Sequence, residues 1–404
     1  MARSWIDLGL MQGNPPAEAD RVTLANYDRD PNPRWSMLHM RELVPSARVA
    51  ASPEPVPLPR SLRDLSGLTF EHDGAARTLE DFYADTWVDA MLVVHRGEVV
   101  LEHYDEGVGP GSRHIAQSVT KSVVATLAGI LLHRGDLAAE APVTAYLPEL
   151  AGTSWDGATL QQLLDMTAGT AFDESDYEDP ESESMRGFRV LGWMERRPDD
   201  PLPQDYIAAL RNVRGHGERF EYRSILTDVI GWILERVSGR PLADLLSTEL
   251  WVPMGAEHDA DLLVGPLSFP LSSGGLCLTI GDLARFGLLH LDGGRSGGRQ
   301  VLPEEWVRSI ASDPDGSLAA AFAADWHVEM FGSGAFYHDQ WWVLDAANGI
   351  HTGLGIHGQQ VLVHPPSQTV VAVFSSWPHP IVDDHVVYSG EALAAICAHL
   401  RSTS

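Results

Sequence analysis

Two groups of strand-forming segments, separated by a long helical region, constrain the fold of this chain most strongly. The stretch MLVVHRGEVVLEHY, residues 91–104, contains two β-branched runs broken at Arg96 and Gly97, which is typical of a β-hairpin. The segments DQWWVLD, GQQVLVHPP and QTVVAVFSSW, all beyond about residue 335, form the second group. We therefore predict an α/β fold in which the two groups of strands form one sheet, and the helical region between them is an inserted domain.

The region from about residue 120 to 260 carries mostly helical patterns. In TLQQLLDM, three leucines lie on one helical face, and SILTDVIGWILERVSG starts at a predicted N-cap, Ser224, and stops at Gly239. A last helix is predicted in YSGEALAAICAHL. We predict a helical domain over residues 119–261, a sheet domain over 61–118 and 262–404, and an active site at their interface. Residues 1–60 are rich in proline and turn-forming residues and are predicted to form an extended arm.

The composition narrows the classes of function. The formal net charge of −28 argues against nucleic-acid binding, because neutralising phosphates needs basic clusters that the chain lacks. The first residues show no basic start followed by an apolar run, and no apolar stretch approaches the roughly 18 residues of a membrane span. Cys277 and Cys397 lack metal-ligand spacing and indicate a reducing compartment. We expect a cytoplasmic protein that contacts neither nucleic acid nor membrane.

The stretch SVTKS, residues 118–122, holds the single lysine of the chain, Lys121, while the other 27 of the 28 Lys and Arg residues are arginines. Arginine stays protonated in proteins, whereas a lysine amine loses its proton once burial lowers its pKa. Lys121 is therefore either a deprotonatable base or a chance survivor on a solvated helix face. Because Ser118 lies three residues earlier, at the predicted start of a helix, we predict a serine nucleophile with an adjacent lysine base.

Two later segments supply further candidate groups. In FEYRS, Tyr222 could relay a proton, with a pKa lowered by the nearby cation, or could simply be a half-buried residue that caps a helix. In GLGIHGQQ, residues 353–360, the glycines let the backbone approach a ligand closely. His357 in this segment is a candidate substrate contact or a structural histidine. No carboxylate–histidine cluster has metal-ligand spacing, so we expect metal-free chemistry.

Three motifs, in this order, resemble those of the serine β-lactamase and penicillin-binding-protein family, in its class C-like esterase branch. They are S-x-x-K at residues 118–121, Y-x-S at 222–224 and, at the position of the K-T-G or H-x-G strand motif, Ile-His-Gly at 356–358. The stretches NPRWSMLHMRELVPSA, AYLPELAGTSWDG, DYEDPESE, QWW and GLGIHGQ narrow the resemblance to the 6-aminohexanoate-dimer hydrolases, which are nylon-oligomer amidases and carboxylesterases. The resemblance implies that family's fold: an antiparallel sheet flanked by helices, with an inserted mainly helical domain.

The resemblance also implies catalytic roles. Ser118 becomes the nucleophile, Lys121 the base and Tyr222 the proton shuttle. The backbone N–H groups of Ser118 and Ile356 become the oxyanion hole. Because Ile-His-Gly replaces K-T-G, the cation that would grip a β-lactam carboxylate is missing, and antibiotic hydrolysis is not expected.

Four residues are implied to contact the substrate: Tyr177, Phe188, Trp342 and His357. Tyr177 would hydrogen-bond the scissile amide, and Trp342 would close over the substrate. Phe188 occupies the position where efficient nylon-oligomer hydrolases can place a carboxylate toward the amino end, which disfavours amino-terminated oligomers more than esters. The segment DESDYEDPESE, residues 173–183, carries seven carboxylates in eleven residues; it is either a solvated loop or, beside the active site, an attractor of ammonium groups.

These expectations describe a serine hydrolase that cleaves linear amides of the 6-aminohexanoate type and short-chain carboxylic esters, through a Ser118 acyl-enzyme and without a cofactor. Its partner is a small-molecule substrate, and the resemblance allows a homodimer. A D-aminopeptidase or carboxypeptidase-like peptide hydrolase, or a plain carboxylesterase on the same fold, is the first alternative. A non-catalytic binding module is the second, which the retention of Ser118, Lys121 and Tyr222 disfavours.

Overall fold

The computed structural model describes residues 4–177, 179–323, 325 and 327–403. The helices are α1 (Pro33–Leu43), α2 (Leu79–Asp85), α3 (Val119–Arg134), α4 (Val143–Tyr146), α5 (Leu160–Leu164), α6 (Glu183–Leu191), α7 (Pro203–Ala209), α8 (Ser224–Ser238), α9 (Leu242–Leu246), α10 (Ile280–Leu291), α11 (Glu304–Ser309), α12 (Ser317–Phe322), α13 (His327–Phe331) and α14 (Asp383–Ser402). The strands are β1 (Ser46–Val49), β2 (Thr69–His72), β3 (Ala75–Thr78), β4 (Val88–His95), β5 (Glu98–Tyr104), β6 (His114–Ile115), β7 (Ala260–Leu263), β8 (Leu276–Leu278), β9 (Arg295–Ser296), β10 (Arg299–Gln300), β11 (Phe336–His338), β12 (Trp341–Asp345), β13 (Ile350–Gly355), β14 (Gln359–His364) and β15 (Thr369–Ser375).

A seven-stranded antiparallel sheet joins the two predicted groups of strands. Its order is β11-β12-β13-β14-β15-β4-β5, so the hairpin β4-β5 continues a meander formed by the later part of the chain. The junction is the pairing of β15 with β4, in which Val371 lies opposite Val93. The predicted α/β fold, with one sheet built from both ends of this span, is confirmed.

Both faces of the sheet are covered by helices, which explains why β4 is buried along its whole length. Alternate residues of a strand point to opposite faces. Met91 and Val93 pack in one apolar cluster with residues of α2 and α14. Leu92 and Val94 belong to the other cluster, together with residues of α3 and α10. The four residues of MLVV are therefore buried in two apolar clusters, one on each face of the sheet.

The middle of the chain is mainly helical, as predicted, and α3 connects it to the sheet. Helix α3 packs against α8 and also against strand β13, and the boundaries of the two domains stay predictions. Helix α8 ends at Gly239 in the left-handed conformation, as its sequence indicates. The predicted N-cap is wrong by one residue, because Ser224 is the first helical residue and its hydroxyl donates to Glu174 instead of capping the helix. Within the described residues, no helix combines the length and the hydrophobicity that crossing a membrane requires.

The N-terminal region contains α1 and β1, and a buried arginine attaches it to the sheet. Arg34 on α1 donates to Asp89 at 2.7 Å and to the Ser376 hydroxyl at 2.7 Å, and it also pairs with Asp105. Asp89 in turn contacts His114 at 3.1 Å. Since buried charges are stable only when paired and hydrogen-bonded, this network fixes the position of α1 on the body of the protein.

The Arg34 network yields a prediction about stability. Arg34→Met leaves the nearly inaccessible Asp89 carboxylate without its guanidinium, and we expect the free energy of unfolding to fall by about 3 to 5 kcal/mol. Urea denaturation followed by tryptophan fluorescence measures this loss. The matched control is Arg60→Met, whose side chain is 54% exposed and pairs with Glu102; its effect should be much smaller. If both variants lose the same free energy of unfolding, burial of the Arg34–Asp89 pair does not make it more important than an exposed pair.

Candidate active site

The predicted nucleophile and base touch each other at the start of α3. Lys121 Nζ lies 2.8 Å from Ser118 Oγ and 2.8 Å from the carbonyl oxygen of Ser273. Ser118 directly precedes the first residue of α3, so both side chains project from the first turn of the helix. Lys121 is 1% exposed and therefore does not lie on a solvated face.

Burial lowers the pKa of the Lys121 amine to about 8, while Glu174 and Asp228 oppose that shift. Neither carboxylate is recognised from the sequence. Asp228 lies on α8 and is fully buried, and its Oδ1 accepts the backbone N–H of Ser273 at 3.0 Å. Because the carbonyl oxygen of the same residue accepts the Lys121 amine, Asp228 positions the amine through the backbone of Ser273. The lone acid within the apolar run SILTDVIGWIL was the available signal for Asp228.

Glu174 holds two further residues of the site. Its carboxylate accepts the Tyr177 hydroxyl at 2.9 Å, the Ser224 hydroxyl at 3.0 Å and the Ser224 backbone N–H. Burial raises the pKa of this carboxyl group, and the charge of Lys121 opposes that shift. Glu174 belongs to the acidic segment 173–183, of which Glu178 lies outside the described residues. This segment is therefore more than a solvated loop, since one of its carboxylates anchors two residues of the site.

Tyr222 lies between the base and Trp342. Lys121 Nζ is 4.9 Å from the centroid of the Tyr222 ring, and this ring stacks on Trp342 with a centroid distance of 5.6 Å. Burial and the charge of Glu174 raise the pKa of the phenol far above its ordinary value, against a smaller effect of a hydrogen bond with Ser118. The prediction that the neighbouring cation lowers this pKa is wrong, because desolvation dominates. Tyr222 therefore holds its proton and can act as an acid.

The end of strand β13 approaches Ser118 closely enough to require a glycine. A Cβ atom on Gly355 would lie 3.0 Å from the Ser118 backbone nitrogen and 2.8 Å from the carbonyl oxygen of Ala116. The next residue is Ile356, and both it and Ser118 line the same cavities. The structure thus brings together the two residues whose N–H groups are predicted to form the oxyanion hole.

His357 is a buried, neutral histidine that is hydrogen-bonded to the backbone. Its Nδ1 donates to the carbonyl oxygen of Trp377 at 2.7 Å, and burial lowers its pKa to about 4. Since a carbonyl only accepts, the proton of the neutral ring is on Nδ1. His357 is 1% exposed and lines one wall of the site, which matches the structural alternative.

Two cavities meet at Ser118, and they share Tyr177 and Ile356. The large cavity, about 980 Å³, is lined by Tyr222, Trp342 and part of the acidic segment, Asp173–Asp176. The small cavity, about 60 Å³, has an apolar wall made of Met185, Phe188, Trp193 and Met194. Every residue that the sequence places at the site therefore lines one or both cavities, apart from Lys121, which lies beneath Ser118. The nucleophile has room for substrate on two sides.

A cluster of Asp165, His338 and Asp339 lies outside both cavities, and its ligand atoms are within 4.8 Å of one another. Sequence spacing does not reveal it, because Asp165 is far from the other two residues. His338 Nδ1 is 2.7 Å from Asp165. Burial lowers the pKa of His338, but Asp339 and Asp165 outweigh this effect and raise it to about 9. The cluster is thus an ion-paired imidazolium whose carboxylates also accept the Gln161 amide at 3.0 Å each.

Comparison with known proteins agrees with the geometry. The family model described as Beta-lactamase matches residues 75–396. The 6-aminohexanoate-dimer hydrolase of Paenarthrobacter ureafaciens is 37% identical over 367 residues, which is 91% of either chain. Esterase EstB of Burkholderia gladioli is 32% identical over 152 residues, covering 34% of this chain and 36% of its own. The solved structure of a candidate 6-aminohexanoate-dimer hydrolase from Bacillus anthracis superposes with a TM-score of 0.86 at 28% identity, covering 96% of this chain and 99% of that one. The resemblance inferred from the three motifs is confirmed.

The position of Asp228 predicts how the reactivity of Ser118 depends on pH. Asp228→Asn keeps an acceptor for the Ser273 N–H but removes a charge that raises the pKa of Lys121. The amine should then lose its proton at lower pH. The acid limb of the profile of labelling rate against pH should therefore shift to lower pH. The measurement is the rate of Ser118 labelling by a fluorophosphonate between pH 5 and 10 (roughly the range around the shifted pKa).

The matched control for this prediction is Asp244→Asn, which removes an exposed carboxylate from α9. Its labelling profile should coincide with that of the wild type. If the acid limb of Asp228→Asn stays at the wild-type pH or shifts to higher pH, this carboxylate does not raise the pKa of the base.

Proposed function

This chain belongs to the Beta-lactamase family of serine hydrolases, and we propose that it cleaves linear amides of the 6-aminohexanoate-dimer type and short-chain carboxylic esters. The reaction proceeds through an acyl-enzyme on Ser118. The observation that carries this proposal is the 2.8 Å contact between Ser118 Oγ and a buried amine whose pKa is lowered to about 8. The names of the relatives, a 6-aminohexanoate-dimer hydrolase and an esterase, support the two classes of substrate.

The first half of the reaction forms the acyl-enzyme. With a pKa of about 8, roughly a tenth of the Lys121 amines are neutral at pH 7, which is sufficient for a general base. Lys121 takes the proton of Ser118 while Ser118 Oγ attacks the carbonyl carbon of the substrate. The negative charge that develops on the carbonyl oxygen is stabilised by the backbone N–H groups of Ser118 and Ile356.

The second half expels the leaving group and releases the acid. Tyr222, which holds its proton, gives it to the leaving nitrogen or oxygen, and the adjacent Lys121 ammonium restores it. Neutral Lys121 then accepts a proton from the water that attacks the acyl carbonyl. The bond between the acyl carbon and Ser118 Oγ breaks, the acid is released, and Ser118 Oγ takes the proton back from Lys121. The C–N or C–O bond of the substrate is broken once, one water is consumed, and every group of the enzyme regains its initial protonation state.

One observation favours a plain carboxylesterase as the second candidate function. Phe188 lies in the small cavity, where its ring is 6.1 Å from that of Tyr177 and 5.8 Å from that of Phe172. An aromatic wall at this position suits an apolar acyl group. A comparison of the wild-type rates on a butyrate ester and on the linear 6-aminohexanoate dimer distinguishes the two functions.

The acyl-enzyme is tested by mass spectrometry. The wild-type protein, quenched with acid during turnover of p-nitrophenyl butyrate, should carry a butyryl group on the peptide that contains Ser118. Ser118→Ala should carry no such group and should have lost turnover. Turnover by Ser118→Ala close to that of the wild type would refute the proposed function.

The acid role of Tyr222 predicts a difference between substrates. An amine leaves poorly as an anion, so amide cleavage depends on protonation of the leaving group more than ester cleavage does. In Tyr222→Phe we expect kcat on the 6-aminohexanoate dimer to fall about 100-fold or more, and kcat on p-nitrophenyl butyrate to fall about tenfold.

Tyr337→Phe is the matched control, because this buried tyrosine packs 6.0 Å from the ring of Tyr222 and does not line either cavity. It should change both rates little. Equal losses on the amide and the ester in Tyr222→Phe would show that the phenol does not protonate the leaving group.

A further inference from the structure

The N-terminal region contributes two residues to the catalytic site. Tyr27 and Asp28 line the small cavity together with Ser118, although more than 80 residues separate them in the sequence. Phe188, Trp193 and the other apolar wall residues line the same cavity. The arm therefore does more than cover the body of the protein, because it forms part of the surface that an acyl group would meet.

The turn that carries Asp28 is held in place by specific contacts. The carbonyl oxygen of Tyr27 accepts the Ser36 hydroxyl at 2.6 Å, and the Asn32 side-chain amide donates to the carbonyl of Asn26 at 2.8 Å. Helix α1 follows, and its Met37 sulfur is 3.7 Å from the side-chain amide of Gln117, the residue before Ser118. Since Arg34 attaches the same helix to the sheet, Asp28 has a fixed position relative to the nucleophile.

Asp28 is the one charged group among the described residues that line the small cavity. No Lys or Arg lines it, and His357 is neutral near pH 7. Asp28 is half-buried and forms no ion pair with any residue in the described part of the chain. Burial raises the pKa of its carboxyl group, and the charge of Arg29 opposes this shift. An unpaired carboxylate beside an apolar wall is complementary to a cation at the end of an apolar chain.

The positions of the other residues assign each cavity to one half of the substrate. Tyr222 and Trp342 line the large cavity and not the small one. If Tyr222 protonates the leaving group, that group occupies the large cavity. The acyl group, which remains on Ser118, then extends into the small cavity toward Asp28.

We propose that Asp28 is a specificity-determining residue that binds the ammonium end of an unbranched ω-aminoacyl group. This inference rests on the proposed function and names the class of acyl group that the enzyme prefers. The apolar wall of the small cavity, which includes Phe188 and Trp193, suits the methylene chain of such a group. A charge-assisted hydrogen bond between the ammonium and the carboxylate then distinguishes a cationic acyl group from a neutral one of the same length.

The test compares esters that differ only in the terminal group. The pairs are p-nitrophenyl 6-aminohexanoate with p-nitrophenyl heptanoate, and p-nitrophenyl 3-aminopropanoate with p-nitrophenyl butyrate, in which a methyl group replaces the ammonium. The measured quantity is the ratio of kcat/KM for the cationic ester to that for its neutral partner at pH 7. Asp28→Asn should lower this ratio about tenfold for at least one chain length, which corresponds to roughly 1.4 kcal/mol. Asp28→Glu should retain most of the preference.

Asp30→Asn is the matched control, since Asp30 is exposed on the same turn and lines neither cavity. Its ratio should equal that of the wild type. A ratio that changes less than about twofold in Asp28→Asn for both chain lengths would overturn the assignment of Asp28. Urea denaturation of each variant verifies that the comparison is made between folded proteins.

The wild-type protein alone gives a second test that does not depend on a variant. Hexylammonium should inhibit hydrolysis of p-nitrophenyl butyrate at a concentration at least about tenfold lower than 1-hexanol does. Equal inhibition by the two compounds would contradict a cation site in the small cavity. Failure of the proposed function is recognised separately: ester hydrolysis would then persist in Ser118→Ala, whatever ratios the Asp28 variants show.

Discussion

The burial of the Lys121 amine is the constraint on which the rest of the site depends. An isolated ammonium in a dry interior is unstable, and the group responds either by losing its proton or by acquiring partners. Here both occur: burial lowers the pKa to about 8, while Glu174 and Asp228 limit that shift. Stronger pairing would keep the amine protonated, and weaker pairing would lower its pKa further. The observed balance leaves a base that is partly neutral at physiological pH, which a guanidinium does not provide.

The same two carboxylates connect the base to the residues that face the substrate. Glu174 accepts hydrogen bonds from Tyr177 and Ser224, and Asp228 accepts one from the backbone N–H of Ser273, whose carbonyl oxygen accepts the Lys121 amine. A change in either carboxylate therefore alters both the charge and the geometry of the site. Tyr222 lies in the same desolvated region, where burial keeps its proton in place. One environment thus produces an amine that is partly neutral and a phenol that is still protonated when the leaving group departs, as acyl transfer with leaving-group protonation requires.

Much of the fold and the central motifs could be predicted from the sequence because their signals are local. The β-branched runs around Arg96-Gly97 form the hairpin β4-β5, and the spacing of Ser118 and Lys121 places both on the first turn of α3. The remaining features depend on packing between distant segments. Asp228 occurs in an apolar helix, Glu174 in an acidic segment and Asp28 in the N-terminal arm. The residues next to each of them in the sequence do not indicate its function. The pKa of Tyr222 was predicted in the wrong direction because the sequence shows the neighbouring cation but not the desolvation. The N-cap prediction for Ser224 is wrong because the hydroxyl has a partner 50 residues away, Glu174.

The central claim is that Lys121 acts by giving up a proton, and Lys121→Arg tests it most directly. The rates of p-nitrophenyl butyrate and linear 6-aminohexanoate dimer hydrolysis are measured for this variant, with urea denaturation to verify folding. Lys121→Cys alkylated with 2-bromoethylamine serves as the matched control, because alkylation restores a deprotonatable amine at nearly the original position. The account predicts that the arginine variant is folded and inactive on both substrates, and that the alkylated cysteine variant regains activity. A folded Lys121→Arg protein with rates near those of the wild type would contradict the claim, since a permanently charged side chain would then suffice.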